Sequence, residues 1–341
     1  MTRGAAGLEL GGTKVTIEQR RDDTVSTRSE QAASGMSDVT LLRVASPRRR
    51  RRPTRTSRQT VALLLPGLAV LAIFFGLPVL DLVRTSLSDW SGIGPREWVG
   101  VDNFVEVFTE ATTRSALIKS IIMGVGVALG IAALGTVLAA FVSRGLSGSR
   151  VYRVLWFLPA VAPPTAVAVF WALSVQPFAG VVNVVLGGLG LGDDHAWLAD
   201  PSTALVVIIA VGIWQGVGFA FLIILGAMEE VPVSVYEAAM IDGAGAVRSF
   251  FQITLPLIRP VLSTVVLLNI IWAFNGFTLV WGMTRGGPGD ATTILPVLVY
   301  KDAFQFSNFG VAAAMSVVGG AILLIIGFAG YVIGSRKAPD A

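Results

Sequence analysis

Six stretches of this chain, near residues 61–80, 120–143, 154–174, 203–227, 262–283 and 308–334, contain no Asp, Glu, Lys, Arg or His. Each can cross a bilayer, because an α-helix rises about 1.5 Å per residue and roughly 20 residues span a hydrocarbon core of about 30 Å. In lipid every backbone N–H and C=O must be paired inside the protein, which leaves helices or closed barrels. The runs are continuously apolar rather than alternating, so helices are expected. Only 14% of the 341 residues are charged, where a soluble chain carries about 25%. The expected fold class is therefore all-α: a polytopic membrane protein with six transmembrane helices. The 38 glycines follow no Gly-X-Y period and are assigned to packing. Zero cysteines exclude disulfides, thiolate nucleophiles and Cys-based metal sites.

The charge distribution gives an orientation. Of 26 Lys and Arg residues, 13 fall in the first 59, including the run Arg48 to Arg52. Such a basic run ahead of an apolar span reads as a cytoplasmic topology signal, and the segment 1–59 as a polar, disordered tail. Six crossings return the chain to the same side, where Arg336 and Lys337 follow the last span. The expected organisation is a cytoplasmic tail over 1–59, a transmembrane domain over 60–335 and a short cytoplasmic tail over 336–341, with both termini inside. The inner connections are then 144–153 and 228–261, and the outer ones 81–119, 175–202 and 284–307. Gly11-Gly12-Thr13-Lys14 has the glycines and lysine of a phosphate-binding loop in the wrong order, with no strand–helix frame, and is discounted.

Local signals punctuate the spans. Gly126 and Gly130 form a small-xxx-small pair suited to close helix contact. Pro159, Pro163 and Pro164 must interrupt the third span, as a hinge or as fixed geometry. Asn269, Trp272 and Asn275 recur every three residues in the fifth span and share one face. Amides can bond sugar hydroxyls and an indole can stack on a sugar's C–H face, so this stripe, with neighbouring Phe274, is the candidate substrate path; interhelical packing is the competing reading. In the inner connection 228–261, Ser234 and Glu237 have the spacing of a capping box, predicting a short helix that Gly243 and Gly245 stop. His195 stands in an outer loop without metal-binding companions. No nucleophile, acid–base pair or metal cluster is evident, so no catalytic residue, metal or bound cofactor is expected, and the chain is read as a transport component rather than an enzyme.

The connection supports more than a helix. Glu237-Ala238-Ala239, Asp242-Gly243-Ala244 and Ile253-Thr254-Leu255-Pro256 resemble, in residues and spacing, the EAA loop of the membrane permease subunits of binding-protein-dependent ABC importers. Phe157-Leu158-Pro159, Trp197 to Pro201, and Thr284 to Gly289 with Thr292 resemble the carbohydrate-importing branch, the group of maltose-type and glycerol-phosphate-type permeases. Val247 stands where many relatives carry an aromatic residue. The resemblance spans about residues 60–335.

It implies that the short inner helix docks on a cytoplasmic ATPase, with Glu237, Ala238, Ala239, Asp242, Gly243, Leu255 and Pro256 as the coupling residues. It also implies a second, similar permease, two ABC ATPase subunits that carry the ATP and Mg, and an extracytoplasmic solute-binding protein, all at a bacterial cell membrane. The expected function is translocation of a carbohydrate or related polyol by alternating access. An ion-coupled carrier and a noncatalytic membrane scaffold are the competing classes; a proton-coupled carrier would place ionisable groups at membrane depth, and the spans hold none.

Overall fold

The computed structural model describes residues 56–143 and 148–335. The basic run, the glycine–lysine loop, Arg144, Arg336 and Lys337 lie outside the described residues, as does most of the 1–59 tail and all of the 336–341 tail.

Helix formation follows the apolar runs. The first rod comprises α1 (Thr56–Leu71), a π-helical turn (Ala72–Gly76) and α2 (Leu77–Ser86). The turn precedes Pro78, whose ring crowds the carbonyl four residues back, at Phe74; a wider π turn accommodates that conflict without breaking the rod. A two-residue hairpin, β1 (Ser88–Asp89) with β2 (Glu97–Trp98), and α3 (Asp102–Thr109) lead into α4 (Ala111–Val142). Next come α5 (Ser149–Val161), α6 (Pro164–Ser174), α7 (Val181–Gly188) and α8 (Ala204–Glu229). After α8 lie the short α9 (Val233–Ile241) and α10 (Ala246–Ser249), a second π turn (Phe250–Thr254) and α11 (Leu255–Leu257). Then follow α12 (Arg259–Phe274), α13 (Phe277–Met283), α14 (Leu295–Tyr300), a third π turn (Lys301–Gln305) and α15 (Phe309–Ser335).

Among the described residues, four helical segments are long and apolar enough to cross a membrane: Leu63–Ser86, Ala111–Val142, Ala204–Glu229 and Phe309–Gly330. Two bent pairs raise the number to as many as six: α5 with α6 at 96°, and Ala246–Leu257 with α12 at 67°. The third apolar stretch is thus broken rather than straight, whereas the 67° bend falls at Ile258, ahead of the fifth. Pro163 and Pro164 remove the N–H groups that would continue α5, and Asn275-Gly276 separates α12 from α13.

Packing centres on α4 and α8. Buried positions on α4 recur at helical spacing, from Met123 and Val127 through Ile131 to Gly135 and Ala139, and pack against Ile208, Val211, Phe221 and Ile224 of α8. Gly126 and Gly130 act as expected: a Cβ at Gly126 would touch Ile209 at 3.4 Å, and one at Gly130 would overlap Ile213. Closer still is Gly218 of α8, where any Cβ would overlap the Trp156 carbonyl of α5. This approach, backbone against backbone, holds the α5–α6 break beside α8. A second, smaller cluster joins Val107, Ala116, Phe274, Leu295, Val311 and Met315.

Candidate functional site

Two features of the bundle hold the residues singled out from the sequence. The first is the α9 unit. Its helix begins two residues before the capping-box reading places it: Pro232, at φ −59° and ψ 136°, is the cap residue in place of Ser234, and no side chain caps the end. The Pro232 carbonyl accepts the Val235 N–H at 3.1 Å. Pro232 already directs the chain into the helix, so Ser234 falls within the first turn, where its hydroxyl cannot serve as N-cap, and the capping box does not form. Glu237 is consequently exposed, and among the described residues its carboxylate makes no hydrogen bond or ion pair.

The other end of α9 closes as the glycine predicts. Gly243 has φ +76°, a conformation that costs an L-residue strain and glycine none. Its N–H reaches the Met240 carbonyl at 3.1 Å, and the Ala244 N–H reaches the Ala239 carbonyl at 2.9 Å. That pair of bonds is a Schellman motif, satisfying the last free carbonyls of the helix. Asp242, exposed, is the residue just before the turn.

Underneath, Ala239 is 8% exposed and Tyr236 Oη lies 3.0 Å from Thr254 Oγ1 on the returning chain. Leu255 and Pro256 start α11, which turns the chain into α12; Leu255 is half-buried and Pro256 exposed. An ion pair between Arg153 and Glu229 ties the start of α5 to the end of α8 nearby. Opposite Ala239, the outer side of the unit is apolar: Ile241 is 86% exposed, and Val233, Met240 and Val247 are exposed with it. Glu237, Ala238, Asp242 and Arg248 are exposed as well. Exposed apolar patches mark protein or membrane contacts.

The second feature is a cavity of about 800 Å³ at the α5–α6 break, bounded by α8 and α12. A smaller one of about 390 Å³ adjoins it and shares Pro164, Gln215, Leu268 and Trp272. Asn269 and Trp272 line the larger space, and Trp272 and Asn275 the smaller. The predicted stripe is therefore brought together on one wall. Phe274 is not part of it: it lies buried in the second apolar cluster against Leu295 and Val311. Gln215, which the sequence reading passed over, sits where the two cavities meet and donates from Nε2 to the Ala162 carbonyl at 3.3 Å. That carbonyl is one the proline break leaves without a helical donor. The only signal for Gln215 was a single carboxamide between Trp214 and Gly216 in an otherwise apolar span.

Among the described residues no cluster of His, Asp or Glu has the makings of a metal site. His195 bonds the Leu191 carbonyl at 3.2 Å and packs on Trp197 in the loop before α8. In the Thr284–Thr293 connection the threonines bond the loop's own backbone, with Thr292 reaching Gly287 at 2.7 Å and Thr293 reaching Gly286 at 3.0 Å. Lys301 Nζ bonds Asp290 at 3.0 Å; that bond and the Thr293 hydroxyl hold the Asp290 carboxyl below its ordinary value. Asp302 is shifted the other way, up to about 6, by burial and then by the nearby Glu106 charge.

The family described as "Binding-protein-dependent transport system inner membrane component" matches residues 131–337. The chain belongs to this family. The permease is 36% identical to a probable ABC transporter permease protein of Brucella abortus, covering 77% of this chain and 92% of that one. It is 33% identical to the diacetylchitobiose uptake system permease protein NgcF of Streptomyces coelicolor, with 94% of each covered. It is 35% identical to the sn-glycerol-3-phosphate transport system permease protein UgpA of Yersinia enterocolitica, over 78% of this chain and 89% of that one. A bacterial alginate ABC transporter, solved in complex with an alginate pentasaccharide-bound periplasmic protein, has the same fold, with TM-score 0.71 at 22% identity over 82% of this chain and 95% of the other. The permease is thus a membrane-spanning subunit of an ABC importer, a transport component.

Proposed function

We propose that this permease is one of two similar membrane subunits in an ATP-driven importer of a carbohydrate or related polyol, and that α9 receives the work of a separate ATPase. The reading that carries this is the α9 unit: a helix of nine residues, rigidly terminated at Gly243, braced below by Tyr236 and Thr254, and apolar on its outer side. Ala238 and Gly243 keep that surface low, so a partner can approach closely. Glu237, released from any capping duty, is free to pair with a basic group on the ATPase; Asp242, Leu255 and Pro256 fix the turn and the return into α12. Ala239 packs beneath.

In this arrangement the chain crosses the membrane six times within a 60–335 domain and keeps both termini, with the 1–59 and 336–341 tails, in the cytoplasm. The connections 144–153 and 228–261 are then cytoplasmic as well. Two ABC ATPase subunits hold the ATP and Mg, a solute-binding protein delivers cargo on the opposite side, and the assembly resides in the bacterial cell membrane. The cavity along Asn269, Trp272 and Asn275 is the solute's path, and Phe274 supports its wall from behind. The name of a relative that specifies diacetylchitobiose supports this cargo range. Closure of the ATPases moves α9, and α9 moves the broken α5–α6 and α11–α12 segments around the cavity. For this to drive transport, α9 must bind the ATPase differently in inward- and outward-facing states.

The chain has no cysteine, so a single introduced thiol reports on one place. Ile241→Cys should cross-link to the ATPase subunit, whereas Leu191→Cys, in the loop before the other end of α8, should not. Glu237→Ala should leave the complex assembled and reduce solute uptake relative to ATP hydrolysis. Absence of the Ile241 cross-link, with unchanged uptake in Glu237→Ala, would refute the coupling role.

A further inference from the structure

The polar groups around the central cavity are all uncharged. Three carboxamides line the paired spaces: Gln215, Asn269 and Asn275. Each spends an N–H on a backbone carbonyl, Gln215 on Ala162 at 3.3 Å, Asn269 on Val265 at 2.8 Å and Asn275 on Ile271 at 3.0 Å. Donation in that direction turns each amide oxygen away from the carbonyl it serves. Gln215 Oε1 is buried and accepts no hydrogen bond. Asn269 Oδ1 lies beside Gly216, 3.7 Å from where a Cβ there would stand. Thr264 Oγ1 donates to the Pro260 carbonyl at 3.0 Å and likewise keeps its lone pairs for the cavity. Thr278 adds a hydroxyl to the smaller space, each carboxamide keeps a second N–H, and Trp272 carries an indole N–H; the remaining surface is apolar, and among the described residues no Lys, Arg, His, Asp or Glu lines either space.

We propose that the cavity admits an uncharged solute rich in O–H or N–H donors, such as a neutral or N-acetylated oligosaccharide, and rejects phosphorylated and carboxylated ones. A hydroxyl or acetamido N–H supplies the donor that Gln215 Oε1 lacks, and the Trp272 indole accepts the C–H face of a sugar ring. A phosphate or carboxylate brings its charge into a space with no cation to offset the loss of its hydration. The size of the larger space, about 800 Å³, falls within the range of roughly 300–1,000 Å³ of sites that enclose drug-sized ligands. The inference rests on the reading that this cavity is the solute path, and narrows it to one charge class.

The test uses the complete membrane complex without its solute-binding protein, so that only the cavity selects. Equilibrium binding is measured for maltose, cellobiose and N,N′-diacetylchitobiose, and for glucose 6-phosphate, sn-glycerol 3-phosphate and glucuronate. At least one neutral disaccharide should bind saturably, with every anion at least about tenfold weaker. An anion that binds as well as the best neutral sugar would overturn the charge assignment while leaving the cavity as the solute path. Failure of all six to bind would overturn both. Asn269→Leu should weaken binding of the neutral sugar about two- to tenfold, the effect of one hydrogen bond, with the complex still assembled. Gln215→Leu should weaken it as well, but Gln215 also holds the α5–α6 break, so Asn269→Leu decides. Unchanged binding in Asn269→Leu would refute the donor–acceptor account.

Discussion

Gly243→Ala isolates the mechanical role of the α9 turn. The residue has φ +76°, and an added Cβ would meet nothing within 4 Å, so the cost is purely conformational. Holding an L-residue in that region costs about 1–2 kcal/mol. The chain can instead open the turn, giving up the Gly243–Met240 and Ala244–Ala239 bonds at about 1 kcal/mol each. Both routes cost about the same, so the penalty is bounded near 2 kcal/mol. A helix of nine residues is too short to be stable alone, and a loss of that size shifts its folded population roughly 5- to 30-fold. Gly245, at φ −70° and ψ 167° with open space around it, is the control: alanine fits there unstrained. With the complex reconstituted in vesicles, Gly243→Ala should lower solute-stimulated ATP hydrolysis and uptake at least about fivefold, with the amount of assembled complex unchanged. Gly245→Ala should resemble the parent. Equal behaviour of the two variants, whether both active or both impaired, would refute the claim that a left-handed terminator holds the docking helix.

Three further outcomes follow from the structure. Gly218→Ala places a methyl group on the Trp156 carbonyl, which no side-chain rotation can relieve; overpacking of this kind costs about 1–3 kcal/mol or more, so the purified protein should melt at a lower temperature, whereas Gly226→Ala, on the same helix with open space, should not. Asn275→Leu removes an amide from the cavity wall and should reduce uptake while complex assembly, followed by copurification, stays intact; equal loss of both would favour a packing role. Burial and Glu106 raise Asp302 to about 6 from an ordinary value of 3.8. A carboxyl raised on folding binds its proton more tightly in the folded state, so stability is greatest below about 4, declines as pH rises through 6 and is level above. Thermal unfolding across that range should show the decline, and Asp302→Asn should flatten it.

Much of this molecule is legible because its strongest signals are local. Continuous apolar runs announce helices, Gly243 announces a terminator, and the prolines at 163 and 164 announce a break. Features set by a neighbouring element are not legible in the same way. The 96° bend of α5 and α6 is braced by Gly218 and Gln215, which lie more than 50 residues further along, and a single glutamine in an apolar span carries no pattern. The start of α9 pits two local signals against each other: Ser234 and Glu237 have cap spacing, but Pro232 comes first in the chain and sets the entry. Phe274 is a question of phase. At about 100° per residue it stands roughly 200° around the helix from Trp272, so it packs behind the cavity wall while Asn269 and Trp272 face the opening. Neither tail tested its expected role, because residues 1–55 and 336–341 lie outside the described part of the chain.

Solute uptake into sealed vesicles tests the central claim most directly. The permease pair is reconstituted with its ATPase subunits and binding protein, with ATP on the α9 side, and compared with vesicles lacking only the ATPases. Accumulation of radiolabelled disaccharide against its gradient should occur in the first preparation and be absent from the second. Equal accumulation without the ATPases would contradict the account.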